Sequence, residues 1–189
     1  MDIRRKILKY AYPFMIAVSK ITGKWRQIET SDIQPREPVY LLNTKDNQGN
    51  TISFSGFEGK KILLVNTASF CVYTDQYAQL QRLHQETKNE LILLGFPSGD
   101  FREQEYEDNQ EIADLCASYD ISFPVMQKSI VTKKDGQHEV FKWLTDASLN
   151  GWNDKAPTWN FTKYLIDEMG DLIAVFGPSV VPAEIKKYL

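Results

Sequence analysis

The stretch Lys61-Ile62-Leu63-Leu64-Val65-Asn66-Thr67-Ala68-Ser69-Phe70-Cys71-Val72-Tyr73-Thr74 governs how this chain is read. Its apolar run, Ile62 to Val65, predicts a strand over residues 61–66 that is buried on both faces of a sheet. From Thr74 to about Lys88, Tyr77, Leu80 and Leu83 recur at helical spacing. Cys71 therefore falls between the end of a strand and the start of a helix. Unpaired N–H groups and the positive end of the helix dipole collect there, and both favour thiolate over thiol. An ordinary cysteine titrates near about 8.5, whereas cysteines at helix N-termini titrate at roughly 3.5–7.5. A reactive thiol of lowered pKa is expected at Cys71.

Working outward, Leu91-Ile92-Leu93-Leu94-Gly95-Phe96 predicts a second buried strand, closed by Pro97-Ser98-Gly99. Helices are expected over residues 109–119, with Ile112, Leu115 and Cys116 on one face, near 139–144, and over 181–189, opened by Pro182. Residues 161–167 and 172–176 read as strands joined by the turn Asp167-Glu168-Met169-Gly170. Upstream, 39–42 and 51–54 flank a turn-rich cluster and read as a β-hairpin. The order predicts an α/β protein: a central mixed β-sheet with helices on both faces and an N-terminal β-hairpin. Cys71 lies at the carboxyl end of a strand, where open α/β sheets place their sites.

Composition narrows the function further. A chain of 189 residues with 42% hydrophobic and 25% charged residues is an ordinary globular protein. A net charge of −3 gives no electrostatic basis for binding nucleic acid. Two cysteines exclude a disulfide scaffold, and with His84 and His138 they show no ligand spacing, so neither metal nor cofactor is expected. Both histidines are expected as solvated helix residues.

Residues 1–36 differ from the domain expected over 37–189. Arg4, Arg5, Lys6, Lys9, Lys20, Lys24 and Arg26 face the single acid Asp2 before Glu29. The apolar stretch from Tyr10 to Val18 is interrupted by Pro13 and is too short to span a bilayer, which needs about 20 residues. It makes a poor signal peptide. An amphipathic helix or arm lying against the domain is expected, with weak contact to an anionic membrane surface or export as alternatives. A cytoplasmic location is the expectation.

The strand–helix–strand arrangement around Cys71 resembles the thioredoxin fold. Position 74, where a Cys-x-x-Cys reductase carries its second thiol, holds Thr74, which excludes dithiol chemistry there. Three stretches resemble the glutathione peroxidase family. Residues 64–74 are similar to its "VNVASxCGxT", residues 94–105 (Leu-Gly-Phe-Pro-Ser-Gly-Asp-Phe-Arg-Glu-Gln-Glu) to "LGFPxNQFxxQE", and Trp159-Asn160-Phe161-Thr162-Lys163-Tyr164-Leu165 to "WNFTKFL". The likeness runs from about Glu37 to the C-terminus.

Carried over by position, the resemblance implies a catalytic tetrad of Cys71, Gln104, Trp159 and Asn160. Peroxide cleavage needs a thiolate and donors to hold it, and two amides and an indole supply N–H groups without burying a second charge. Gly99-Asp100 stands where the family has Asn-Gln, Val72 where it has Gly, and Phe70 where Lys is frequent. An aspartate close to the thiolate would raise its pKa. In thioredoxin-dependent members a resolving cysteine occupies the helix matching 109–119, which implies that role for Cys116. The short segment 145–158 resembles monomeric members, so thioredoxin is favoured over glutathione as reductant for a hydroperoxide substrate. A peroxide-sensing relay that oxidises a partner protein is the alternative, and a binding module with a degenerate site is a third.

Overall fold

The computed structural model describes Arg26–Ile28, Pro35 and residues 37–189. Its main sheet has five strands in the order β1-β7-β6-β4-β5, where β1 is Arg26–Ile28, β4 Lys61–Thr67, β5 Leu91–Pro97, β6 Lys163–Ile166 and β7 Leu172–Phe176. β4 and β5 run parallel, joined through helix α1 (Gln76–Thr87), and β6 runs antiparallel to β4. Helices α2 (Asn109–Ser118), α3 (Glu139–Leu144), α4 (Ala147–Asn150) and α5 (Pro182–Ile185) complete the fold.

The apolar run of β4 is buried throughout because helices cover both faces of the sheet. Leu63 and Val65 pack with Tyr77 and Leu80 of α1, Ile112 of α2 and Ile185 of α5. Ile62 and Leu64 point the other way, onto Val140, Phe141 and Leu144 of α3. This alternation is the period of two expected of a strand. Each fully buried Leu or Ile contributes on the order of 2 kcal/mol.

Several boundaries depart from expectation. The hairpin pairs β2 (Asn43–Lys45) with β3 (Thr51–Ser53) as a separate two-stranded sheet. The expected strand at 39–42 is instead a 3-10 turn, Val39–Leu41, which follows Pro38 and buries Val39. β6 starts at Lys163 rather than at residue 161, because Phe161 takes a left-handed φ of 63° that no strand admits. The final helix shortens to Pro182–Ile185 and continues as a 3-10 turn. The turn after β6 closes on Gly170 at φ +91°, where a Cβ would lie 2.8 Å from the Tyr40 ring.

Part of the N-terminal segment joins the fold. Arg26–Ile28 adds a strand antiparallel to β7, in register with Ala174–Phe176, where an amphipathic helix or arm was expected. The expectations for membrane contact and export fall on residues 1–25, outside the described residues. Among the described residues no helix is long and apolar enough to cross a membrane. His138 is half-buried rather than solvated: its Nδ1 accepts from Val140 N at 3.2 Å and caps α3.

Candidate active site

Topology brings the candidate residues to one edge of the sheet. The carboxyl ends of parallel β4 and β5 lie side by side, with Thr67 opposite Pro97. β6 is antiparallel, so its entrance, preceded by Trp159 and Asn160, arrives at the same edge. Asn66 ties the pieces together: its Nδ2 donates to Trp159 O at 3.2 Å and its Oδ1 accepts from Thr162 N at 3.0 Å. Across the gap Phe70 N donates to Gln104 O at 2.9 Å, which docks the loop after β5 onto the turn after β4.

Cys71 sits in that turn, 7% exposed. Thr74, the residue in place of a second thiol, clamps it. Its Oγ1 accepts from Cys71 N at 3.1 Å and shares its proton between Cys71 O and Ala68 O. Because residues 72–75 are wound in turns, α1 starts at Gln76, two residues later than expected. Tyr73 N donates to the Cys71 sulfur at 3.4 Å, and the side chains of Asn160 and Trp159 favour its anionic form.

The expected lowering of the thiol pKa meets an opposing effect. Burial pushes the Cys71 thiol above its ordinary value, and the donors from Tyr73 N, Asn160, Trp159 and Val72 N work against that rise. What the turn offers the sulfur at close range is the backbone N–H of Tyr73.

Gln104 completes the group. Asn160 Nδ2 donates to Gln104 Oε1 at 3.0 Å, and both residues are buried. Reaching this position requires strain. Arg102 and Glu103, just before Gln104, have φ of 60° and 53°, and Phe161, just after Asn160, has 63°. Left-handed residues of this kind cost of order 1–3 kcal/mol each. The Trp159 ring is held between Phe101, at 5.5 Å centroid separation, and the Arg102 guanidinium at 5.6 Å. The structure thus brings Cys71, Gln104, Trp159 and Asn160 together.

Asp100 does not threaten the sulfur. Its Oδ2 accepts from Val131 N, Thr132 N and Thr132 Oγ1 at 2.7–3.0 Å, and its Oδ1 pairs with Lys134 at 2.7 Å. Those partners hold its pKa below the usual value, and it acts as a staple for the 130–134 loop.

Three buried groups surround the turn. Glu105 Oε1 accepts from Ser69 N at 3.2 Å, from Ser69 Oγ and from Tyr106 N at 2.9 Å, while its buried Oε2 has no partner. Burial pushes its carboxyl up to about 7. Lys163 is wholly buried, its Nζ bonded to Gln76 Oε1, Val180 O and Pro178 O. Cys116 lies on the buried face of α2, in the same core cluster as Cys71; burial pushes it up to about 11, and the Tyr77 hydroxyl beside it pulls the other way. Both cysteines are free thiols. Sequence reading missed Asn66, Glu105 and Lys163 as members of this neighbourhood. A lysine and a glutamate inside otherwise apolar or motif-bearing segments were the available signal. Among the described residues no cluster of His, Cys, Asp or Glu is placed to hold a metal ion.

A thioredoxin-like sheet carrying a buried thiol, two amides and an indole at its carboxyl edge defines a thiol-dependent redox enzyme. Residues 39–145 match the glutathione peroxidase family. The chain is 39% identical over 152 residues to the glutathione peroxidase homolog BsaA of Staphylococcus epidermidis, covering 79% of this chain and 95% of that one. It is 37% identical over 156 residues to the glutathione peroxidase-like peroxiredoxin GPX5 of Chlamydomonas reinhardtii, covering 79% and 95%. The crystal structure of Trgpx in apo form superposes with a TM-score of 0.63 at 30% identity, covering 81% of this chain and 93% of that one. The chain belongs to the glutathione peroxidase family. It is a peroxidase that takes a hydroperoxide and a thiol reductant.

Proposed function

We propose that Cys71 is the peroxidatic nucleophile, with Gln104, Trp159 and Asn160 as the donors that hold its thiolate and the peroxide. The Cys71 sulfur forms a bond to one peroxide oxygen as the O–O bond breaks. The departing oxygen leaves as water or alcohol after taking a proton, and the thiolate becomes a sulfenic acid. The observation that carries this reading is one buried sulfur that accepts from Tyr73 N at 3.4 Å and whose pKa the uncharged side chains of Asn160 and Trp159 act to lower. Such donors stabilise an anion where burial alone would protonate it.

Cys116 then resolves the intermediate in this reading. Its sulfur attacks the sulfenic sulfur, a disulfide forms and water leaves. Thioredoxin, a dithiol, supplies the two electrons that reduce this disulfide, in preference to glutathione. A two-thiol cycle of this kind suits a monomer in a reducing cytoplasm.

The test is a steady-state assay with hydrogen peroxide and an organic hydroperoxide, run with thioredoxin and with glutathione. Turnover sustained by thioredoxin and abolished in Cys71→Ser is the expected result. Peroxide consumption that survives in Cys71→Ser would end this reading. A single oxidation followed by trapping of a partner protein, without turnover, would make the protein a relay instead.

A further inference from the structure

The chemistry proposed above leaves Lys163 unused, yet its placement is unusual. Of the acidic and basic residues described, only Glu105 and Lys163 are buried as whole residues. Lys163 Nζ meets three oxygens: Gln76 Oε1 at 2.6 Å, Val180 O at 2.8 Å and Pro178 O at 3.3 Å. An ammonium has three N–H donors and no acceptor, which matches three oxygens. A neutral amine has two donors and would aim its lone pair at the third. The geometry therefore specifies the charged form, although burial pulls the pKa well below its ordinary value.

That charge has no bound anion. Among the described residues no carboxylate lies within ion-pair distance of Nζ. Two groups favour its charge through space, the Cys71 sulfur first and Glu184, an exposed residue of α5, second. A buried cation lacking a partner is costly, and an anion formed nearby offsets that cost. Gln76 fixes the geometry. It opens α1 directly after the Cys71 turn, accepts from Lys163 and donates to Pro178 O at 2.7 Å. The lysine is thereby pinned beneath the segment that carries the sulfur.

We propose that Lys163 is a positioning residue of this site, a buried counter-charge that holds the Cys71 sulfur in its anionic form. The proposal rests on the reading of Cys71 as nucleophile. Linkage makes the effect mutual: whatever the thiolate does for the ammonium, the ammonium does for the thiolate. Lys163 Nζ bonds to Gln76, Pro178 and Val180 and not to the sulfur, so its role is electrostatic and its loss acts on the fraction of thiolate.

The experiment follows the pH dependence of iodoacetamide alkylation at Cys71, in a Cys116→Ser background so that a single thiol reports. Lys163→Met should shift the alkylation midpoint upward by about one pH unit, a loss of about tenfold in thiolate at neutral pH. If Lys163→Met does not fold, the coupling is read from the other side. The Lys163 side chain is titrated by NMR in the parent and in Cys71→Ser, where its midpoint should fall by a similar amount. An unchanged midpoint in folded Lys163→Met, or an unchanged lysine titration in Cys71→Ser, overturns the proposal while leaving Cys71 as nucleophile. Peroxidase turnover surviving in Cys71→Ser removes the underlying reading instead.

Discussion

Asn160 donates its side-chain amide to Oε1 of Gln104 at 3.0 Å, across 56 residues of sequence. The bond fixes which way both amides face. The Gln104 oxygen is engaged as an acceptor, so its NH2 is the end left to donate. The second N–H of Asn160 is available to the Cys71 sulfur, on which that side chain bears. The two amides act as one unit built from the loop after β5 and the entrance to β6.

Single replacements should therefore be strongly non-additive. Asn160→Ala removes one donor to the sulfur and frees Gln104, an expected loss of about 100-fold in kcat/KM, the scale of one anion-stabilising donor. Gln104→Ala should cost a similar factor. The double variant should lose far less than the product of the two, because each single change already dissolves the pair. A kcat/KM series with hydrogen peroxide decides; simple multiplication of the losses would show two independent donors.

Glu105 makes the fold sensitive to pH. Its carboxyl titrates at about 7 in the folded protein against an ordinary value of 4.5. The protonated form is the one the fold favours, so its contribution is complete below that ordinary value and is lost as pH rises through about 7. The difference corresponds to about 3 kcal/mol. Urea unfolding across this window should show the wild type losing stability toward alkaline pH, and Glu105→Gln losing markedly less. Parallel curves for the two proteins would assign the pH dependence elsewhere.

Asp100 presents the reverse case. Its pKa is held down by Lys134 and the Val131–Thr132 amides, so its contribution is present above the ordinary carboxylate range and is lost as pH falls. Asp100→Asn should lower stability by about 2 kcal/mol, the scale of hydrogen bonds to a charged group. Cys71 alkylation should be unaffected, since this carboxylate turns toward the 130–134 loop. A changed alkylation rate would place Asp100 within electrical reach of the sulfur.

The sheet and its helices were legible because Ile62–Val65 and Leu91–Leu94 are uninterrupted apolar runs and Tyr77, Leu80 and Leu83 keep helical spacing. The motif residues were legible as types, and the parallel β4–β5 pair explains why they converge. What escaped was conformational. Arg102, Glu103 and Phe161 adopt left-handed φ without glycine to signal it, which displaced the start of β6 and hid how Gln104 is aimed. The thiol was expected to be acidified by a helix end, but the turn at Thr74 delays that helix and burial opposes the effect. Lys163 reads along the chain as an ordinary strand lysine. Only the third dimension, with Gln76 and the carbonyls of Pro178 and Val180, makes it a buried cation.

In the proposed cycle, the resolving step requires α2 to open. Cys116 is 6% exposed in the core and its thiol is pushed up to about 11, so it is a poor nucleophile where it stands. Releasing it from the helix removes the burial that raises its pKa and lets the two α-carbons approach the roughly 4.4–6.8 Å a disulfide needs. Asp108 caps this helix, accepting from Gln110 N at 2.6 Å. Asp108→Ala should weaken α2 by about 1 kcal/mol, which corresponds to about a fivefold larger open fraction. Disulfide formation after one equivalent of peroxide should accelerate by about that factor, as followed by quenched non-reducing mass spectrometry. The same variant should leave the preceding oxidation of Cys71 unchanged, because the cap lies outside the donor group around the sulfur. An unaltered rate of disulfide formation would mean that Cys116 reaches Cys71 without unwinding its helix.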